Sequence, residues 1–310
     1  MNHISWDLRT VADLLKITRV HIVAGGLAAY SLGVLLAVQE NTELNFGRVV
    51  LGYLVVFLCD LSTHYSNDYF DARLSQSNVQ TKAFGGSQIL LKHPELRPLS
   101  RSIAIMLTLL SVALSALSVL LYGVPTEFLI ITIAANLLGW LYSAPPICLS
   151  SSGLGEIAIA LGTGIGIPGA GYFVTKGRVD YLFLLMAIPF TMYGFILSLS
   201  LEIPDMESDV KARKNNLVVR GGRTFSFSII AALSFLATAT LLTYAKTIVT
   251  PIDLTVVTIL SCIPLATGLA GLLKRPKKSE EANHLSAANI AALFLFNILI
   301  DLYLVLLLLV

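Results

Sequence analysis

Two acidic clusters stand out in a chain that carries few charges. The first reads Asn67-Asp68-Tyr69-Phe70-Asp71 and the second Pro204-Asp205-Met206-Glu207-Ser208-Asp209. Each follows a long apolar stretch. An ionisable group beside a membrane segment is costly, so its presence there points to function. On a helix, side chains three and four apart share a face. Asn67 and Asp71 are four apart, Asp68 and Asp71 three apart, and Asp205 and Asp209 four apart. Each cluster can therefore aim two oxygen ligands at one point. Two such pairs in distant parts of the chain suggest half-sites that meet in space. The occupant their chemistry favours is a divalent cation carrying a phosphate-bearing ligand. Mg2+ is commonly held by a few carboxylates while phosphate oxygens and water complete its shell. A diphosphate brought there without metal would be repelled by Asp68, Asp71, Asp205 and Asp209 together. Asn67 and these four aspartates are the candidate metal ligands, and the aspartates the candidate catalytic groups.

Cations stand close by. Arg73 follows the first cluster, and Lys211, Arg213 and Lys214 follow the second; Arg19 lies near the mouth of the first apolar stretch. Such groups could hold terminal phosphate oxygens and stabilise a departing diphosphate. Cations of this kind also simply mark the inner face of a membrane, which is how the basic run at 274–278 is read.

The elements that must position these residues are membrane helices. The chain is 55% hydrophobic and only 13% charged, with a mean hydropathy of +0.79, whereas a soluble domain averages about 25% charged residues. Nine stretches reach the length of a span: roughly 17–38, 47–66, 101–122, 125–142, 154–175, 180–201, 224–245, 251–273 and 286–309. The first is followed by further spans, so it reads as a helix rather than a cleaved leader. With the N-terminus in the cytoplasm, 17 of the 21 Lys and Arg fall on the cytoplasmic side, the other four being Arg48, Lys176, Arg178 and Lys246. Both acidic clusters then lie on the cytoplasmic side and the C-terminus on the opposite one. Cys59, Cys148 and Cys262 are far apart and show no metal spacing, so they read as small apolar residues. Nothing in the chain points to nucleic acid, and no linker divides it, so residues 1–310 read as one domain.

With both clusters placed, the chain resembles the UbiA superfamily of intramembrane prenyltransferases from about Arg19 to Gly222. Asn67 to Asp71 match the start of that family's first motif, NDxxDxxxD. Asp205 to Asp209 match its second, DxxxD, and Lys214 and Leu217 match the continuation. Tyr142-Ser143-Ala144-Pro145-Pro146 resembles the family's turn between spans four and five, and Gly153-Leu154-Gly155-Glu156 the opening of span five. Three departures stand out. Ser75 replaces the last Asp of the first motif. Arg213 and Asn216 replace the Gly and Thr around Lys214. Ile147-Cys148-Leu149 stands where many relatives carry a basic residue.

The resemblance implies an all-α polytopic membrane protein: nine transmembrane helices around a central cavity, capped on the cytoplasmic side by loops at about 67–100 and 202–223. It implies Mg2+-dependent transfer of a polyprenyl group from its diphosphate to an electron-rich acceptor, commonly an aromatic ring. Asn67, Arg19, Lys214, Tyr142, Arg73 and Lys211 would then bind substrate. Phe84-Gly85-Gly86-Ser87-Gln88-Ile89-Leu90 resembles a segment of the members that prenylate 1,4-dihydroxy-2-naphthoate. Acceptors such as 4-hydroxybenzoate, homogentisate, haem, chlorophyllide or an archaeal glycerol lipid remain open.

An ion-coupled transporter is the rival class, since intramembrane carboxylates and glycine-broken helices also suit transport. It predicts acidic groups near mid-membrane, whereas both clusters sit at one edge. Among smaller features, His21 and His64 read as structural partners. The glycines of 162–169 read as a close helix contact with a kink at Pro168. Asp60 is placed to line the cavity. Asp301, in an outer apolar run, has no account at this level.

Overall fold

The computed structural model describes residues 8–74 and 87–309. Among them every regular element is helical. A short amphipathic helix, α1 (Leu8–Ile17), precedes α2 (Val20–Val38) and the long α3 (Phe46–Leu74). After one turn, α4 (Ile89–Lys92), come α5 (Arg97–Tyr122) and α6 (Glu127–Ser143). Another single turn, α7 (Leu149–Ser152), leads to α8 (Gly155–Leu161), a π-helical turn at Gly162–Gly166, and α9 (Ile167–Lys176). Then follow α10 (Tyr181–Glu202), a 3-10 turn at Ile203–Asp205, and α11 (Met206–Lys211). The chain ends with α12 (Leu217–Thr247), α13 (Leu254–Lys274) and α14 (Ser279–Leu307).

Seven of the described helical stretches are long and apolar enough to cross a membrane, and Ile22–Val38 and Glu127–Ser143 are shorter apolar helices. Each expected span coincides with one of these. The boundaries differ in three informative places. The stretch expected from residue 17 is broken at Thr18–Arg19, where Arg19 adopts φ 47°, ψ 58°; α1 is thereby a separate helix. The first acidic cluster does not open a polar loop: α3 continues through it to Leu74. The second expected loop is likewise mostly helical, with only 212–216 outside a helix. Both clusters thus ride on the ends of rigid elements. Ser75, where the first motif departs, and Phe84-Gly85-Gly86, on which part of the resemblance rests, lie outside the described residues, as does the side chain of His21.

Small residues let the helices approach. A Cβ on Gly171 would lie 2.2 Å from the carbonyl oxygen of Tyr30, and one on Gly164 would lie 2.6 Å from that of Phe190. Glycine therefore fixes how α9 meets α2 and how the π turn meets α10. The π turn ends just before Pro168, whose missing N–H cannot donate to the preceding turn. Serine and threonine hydroxyls bond across α3, α5 and α6: Ser111 Oγ donates to the Val55 carbonyl at 3.1 Å, and Thr132 Oγ1 to Ser115 Oγ at 3.0 Å.

A mostly apolar cavity of about 180 Å3 opens among α2, α3, the π turn, α9, α10 and α14. Gly25, Gly26, Phe190, Leu201, Leu293 and Phe294 are among its walls, and Asp60 is the one carboxylate among its described lining residues. Asp60 therefore lies where the sequence suggested. His64 Nε2 stands 3.6 Å from Asp60 Oδ1, one turn further along α3. At a different level Asp301 accepts a hydrogen bond from Ser31 Oγ at 2.6 Å, tying α14 to α2.

Candidate active site

The two acidic clusters meet at one end of the helix bundle. The charges that act on Asp71 are those of Lys214, Asp68, Arg19 and Asp209. Those acting on Asp205 are Asp209, Lys214 and Arg19. Side chains separated by more than 130 positions thus share one electrostatic neighbourhood, and two cations stand between them. Asp68, Asp205 and Asp209 are all buried. So much negative charge out of water is tolerated only when it is paired.

The pairing is specific. Lys214 Nζ lies 3.0 Å from Asp209 Oδ1. Burial alone would lower the Lys214 ammonium, but the attraction of Asp71 and Asp209 outweighs it and holds the pKa above the ordinary lysine value. Arg19 Nη2 donates to Asp68 Oδ1 at 2.5 Å. Asn67 Oδ1 accepts from the Ser143 hydroxyl, which brings the end of α6 against α3. Tyr142, the neighbour of Ser143, feels the charges of Glu202, Asp71, Glu156 and Asp209. It therefore shares their electrostatic neighbourhood.

Local structure explains the register. Asp205 closes a 3-10 turn and α11 follows without interruption, so Asp205 and Asp209 lie about one turn apart. The chain then leaves the helix at Ala212–Asn216, which lets Lys214 fold back on Asp209. Asn216 caps α12: its Oδ1 accepts from Val219 N at 2.8 Å, and its Nδ2 donates to Asp209 Oδ2, also at 2.8 Å. The buried Glu156 accepts from Leu217 N at the same helix start. The Gly-Leu-Gly-Glu segment is thus a brace for the loop that carries Lys214.

Two sequence candidates fall elsewhere. Arg73 is exposed; its Nη1 donates to the Tyr69 hydroxyl at 3.2 Å and its guanidinium lies 5.8 Å over the Tyr69 ring. Lys211 is exposed at the end of α11, where its charge acts on Glu207. The arrangement does not bring either to the shared face. Four residues with no role assigned from sequence enter the site: Ser87, Ser143, Asn216 and Glu202. Glu202 sits one turn before Asp205, accepts from Ser198 Oγ at 3.1 Å, and keeps a buried Oε2 without a partner. An acid three residues ahead of Asp205 was the available signal.

Among the described residues no three His, Cys, Asp or Glu side chains converge as a ready metal centre. The donor set nevertheless fits a divalent cation. Asp205 Oδ1 is buried and has no hydrogen-bond partner. An orphaned anionic oxygen beside a second carboxylate is the kind of group that a bound ion satisfies. Hard oxygen donors of this type suit Mg2+.

Residues 26–298 match the UbiA prenyltransferase family. The chain belongs to that family. It is therefore a transferase, and as a UbiA member with several membrane-length helices it is an integral membrane protein. A 1,4-dihydroxy-2-naphthoate octaprenyltransferase of Bacillus subtilis (strain 168) is 22% identical over 230 residues, covering 71% of this chain and 69% of that one. A UbiA homologue from Archaeoglobus fulgidus, solved bound to GPP and Mg2+, superposes with a TM-score of 0.66 at 18% identity, covering 92% of this chain and 99% of the other. The apo UbiA homologue of Aeropyrum pernix K1 gives a TM-score of 0.66 at 13% identity, covering 90% and 98%. These structural likenesses establish a shared fold.

Proposed function

We propose that this UbiA-family member transfers a polyprenyl group from its diphosphate to an aromatic quinone precursor of the 1,4-dihydroxy-2-naphthoate type, with Mg2+ as cofactor. The observation that carries the reading is the meeting of Asp71 with Asp205 and Asp209 around Lys214 and Arg19, whose charge also acts on Asp60 in the wall of an apolar cavity. The Archaeoglobus protein that shares the fold was solved with an isoprenoid diphosphate and Mg2+. The Bacillus relative supports the acceptor class.

In this reading Asn67, Asp68, Asp71, Asp205 and Asp209 are the groups that would hold the metal. When bound, Mg2+ supplies Lewis-acid polarisation of the leaving diphosphate. Lys214 and Arg19 take the remaining phosphate charge, because both are already held at the carboxylate cluster. The apolar walls around Gly25, Phe190 and Phe294 accept the isoprenoid tail and keep water from the allylic carbon as its bond to oxygen breaks. Tyr142 lies within reach of the same carboxylate charges, and in this reading it contacts the acceptor.

The topology belongs to the same proposal. Seven long and two shorter apolar helices support nine spans around the cavity. The distribution of Lys and Arg supports a cytoplasmic N-terminus, a site capped on the cytoplasmic side and a C-terminus on the other.

The test is product analysis. Purified protein is incubated with labelled polyprenyl diphosphate, Mg2+ and either 1,4-dihydroxy-2-naphthoate or 4-hydroxybenzoate. Prenylated naphthalene product is expected with the first acceptor. Product from 4-hydroxybenzoate alone would overturn the acceptor, and the absence of diphosphate release with either would overturn the reaction.

A further inference from the structure

Asp60 is a carboxylate that neither acidic cluster uses. It lies in the wall of the apolar cavity, the one acidic side chain among the described lining residues. An ionisable group at membrane depth is costly and points to function. Its place follows from α3. Asp60 is seven residues before Asn67 and eleven before Asp71, on one uninterrupted helix. Those steps return to within about 20° of the same face and advance about 10 and 16 Å along the axis. Asp60 therefore shares a face of α3 with the first cluster, but at a deeper level. Arg19 links the two levels, because its charge acts on Asp60 as well as on Asp71 and Asp205.

Among the described residues the carboxyl is not fully engaged. The His64 imidazole Nε2 stands 3.6 Å from Oδ1, beyond hydrogen-bond length. The Asp60 side chain is 25% exposed, and the cavity is what it faces. Two adjacent glycines of α2 divide the opposite wall. A Cβ on Gly25 would collide with the Phe294 ring, whereas one on Gly26 would meet only Asp60 Oδ2, at 3.8 Å. Gly25 thus abuts an aromatic wall, and Gly26 leaves room in front of the carboxyl. An apolar occupant of that room would strand a carboxyl oxygen without a partner, which is costly. The isoprenoid tail is such an occupant. An aromatic hydroxyl is not, since its O–H can donate to Oδ2. A carboxylate on the same ring would be repelled by Asp60 and has to face away from it.

We infer that Asp60 determines the choice of acceptor: Oδ2 accepts a hydrogen bond from a ring hydroxyl beside Gly26, so the site takes an aromatic acceptor with a free phenolic O–H. This deepens the prenyl-transfer reading above and rests on it. The hydrogen bond also draws the hydroxyl proton towards the carboxyl, which enriches the ring in electrons as its carbon attacks the allylic carbon.

The test compares free hydroxyls with methyl ethers, which donate electrons to the ring but have no O–H. Purified full-length protein, Mg2+ and labelled polyprenyl diphosphate are supplied with 1,4-dihydroxy-2-naphthoate or either of its mono-O-methyl ethers. The same comparison is run with 4-hydroxybenzoate and 4-methoxybenzoate, so that the inference is tested whichever ring the protein accepts. Wild type should favour the free hydroxyl over its ether by about a hundredfold or more in kcat/KM, because the ether leaves Asp60 unpaired. Asp60→Ala should lower kcat/KM for the hydroxylated ring by about a hundredfold and leave the ether within about threefold, collapsing the ratio. Mg2+-dependent binding of the labelled donor should stay within about twofold, as expected of a separate site. An equal loss with both rings would make Asp60 a structural residue and overturn the inference. Loss of donor binding, or a wild type that uses each ether as well as its parent, would overturn it too. Should Asp60→Ala fail to insert, the isosteric Asp60→Asn decides: its amide oxygen is a weaker acceptor, so the ratio should fall about tenfold, and an unchanged ratio refutes the hydrogen bond. Wild-type protein that binds the donor but releases no diphosphate with any of these rings would overturn the acceptor reading and this inference with it.

Discussion

Replacing Lys214 by Gln should push metal binding and turnover in opposite directions. Lys214 Nζ sits 3.0 Å from Asp209 Oδ1, and its side chain is 28% exposed. At that separation the gross attraction is about 5 kcal/mol for an effective dielectric near 20. Desolvation and partial solvent access reduce the net to about 1–2 kcal/mol. In the absence of diphosphate, Lys214 competes with Mg2+ for Asp209. Lys214→Gln removes that competitor, so Mg2+ should bind about tenfold more tightly, which is 1.4 kcal/mol. In the proposed reaction the same lysine faces a departing diphosphate. Losing one preorganised cation there should cost about 10²–10³ in kcat, by analogy with removal of one donor from an anion-stabilising site. Calorimetric Mg2+ titration of the ligand-free protein and a labelled-donor turnover assay read the two effects separately. If Mg2+ affinity and kcat fall together, Lys214 is a scaffold for the loop. If kcat stays above about a tenth of wild type, a loss under 1.4 kcal/mol, its role at the leaving group is refuted.

Asp205→Asn should abolish product formation while the protein still inserts and purifies normally, because the buried Oδ1 is the oxygen left for the metal; retention of a tenth of turnover would remove it from the ligand set. Excess chelator should stop wild-type turnover, and added Mg2+ or Mn2+ should restore it. Asn216→Ala should lower the unfolding midpoint, since it removes a cap worth about 1 kcal/mol and a hydrogen bond to Asp209; an unchanged midpoint in a thermal scan would show that the cap is redundant. Cysteines placed at Lys211 and Lys246, in a background lacking Cys59, Cys148 and Cys262, should label from opposite faces of sealed vesicles, Lys211 from the cytoplasmic one. Labelling of both from one face would break the orientation.

Much of this site was legible because helical spacing is a local property. Asn67 with Asp71, and Asp205 with Asp209, could be paired from their separation alone, and each pair does lie on a helical end. The same rule, applied more strictly, would have set two other candidates aside. Arg73 is two residues past Asp71, and Lys211 two past Asp209, which on a helix is a rotation of about 200°. Both side chains are exposed, Arg73 bonded to Tyr69 and Lys211 acting on Glu207. Lys214 escapes that geometry only because α11 stops at Lys211 and the next five residues turn back. What could not be read was tertiary. The break at Arg19 interrupts an apolar run that hydropathy treats as continuous. Glu156 meets Leu217 across 61 positions, and Ser143 meets Asn67 across 76. These braces share a logic. In each, a side chain outside the acidic motifs occupies a polar group beside them: Glu156 takes a helix N–H, Asn216 and Lys214 take Asp209, and Arg19 with Ser87 takes Asp68. A site that must hold several carboxylates together before its metal arrives needs such partners, since unpaired buried charge would otherwise oppose folding. In the proposed reaction the cations that neutralise these carboxylates also receive the diphosphate, so binding would exchange one set of charge pairs for another and would not create charge in a dry cavity.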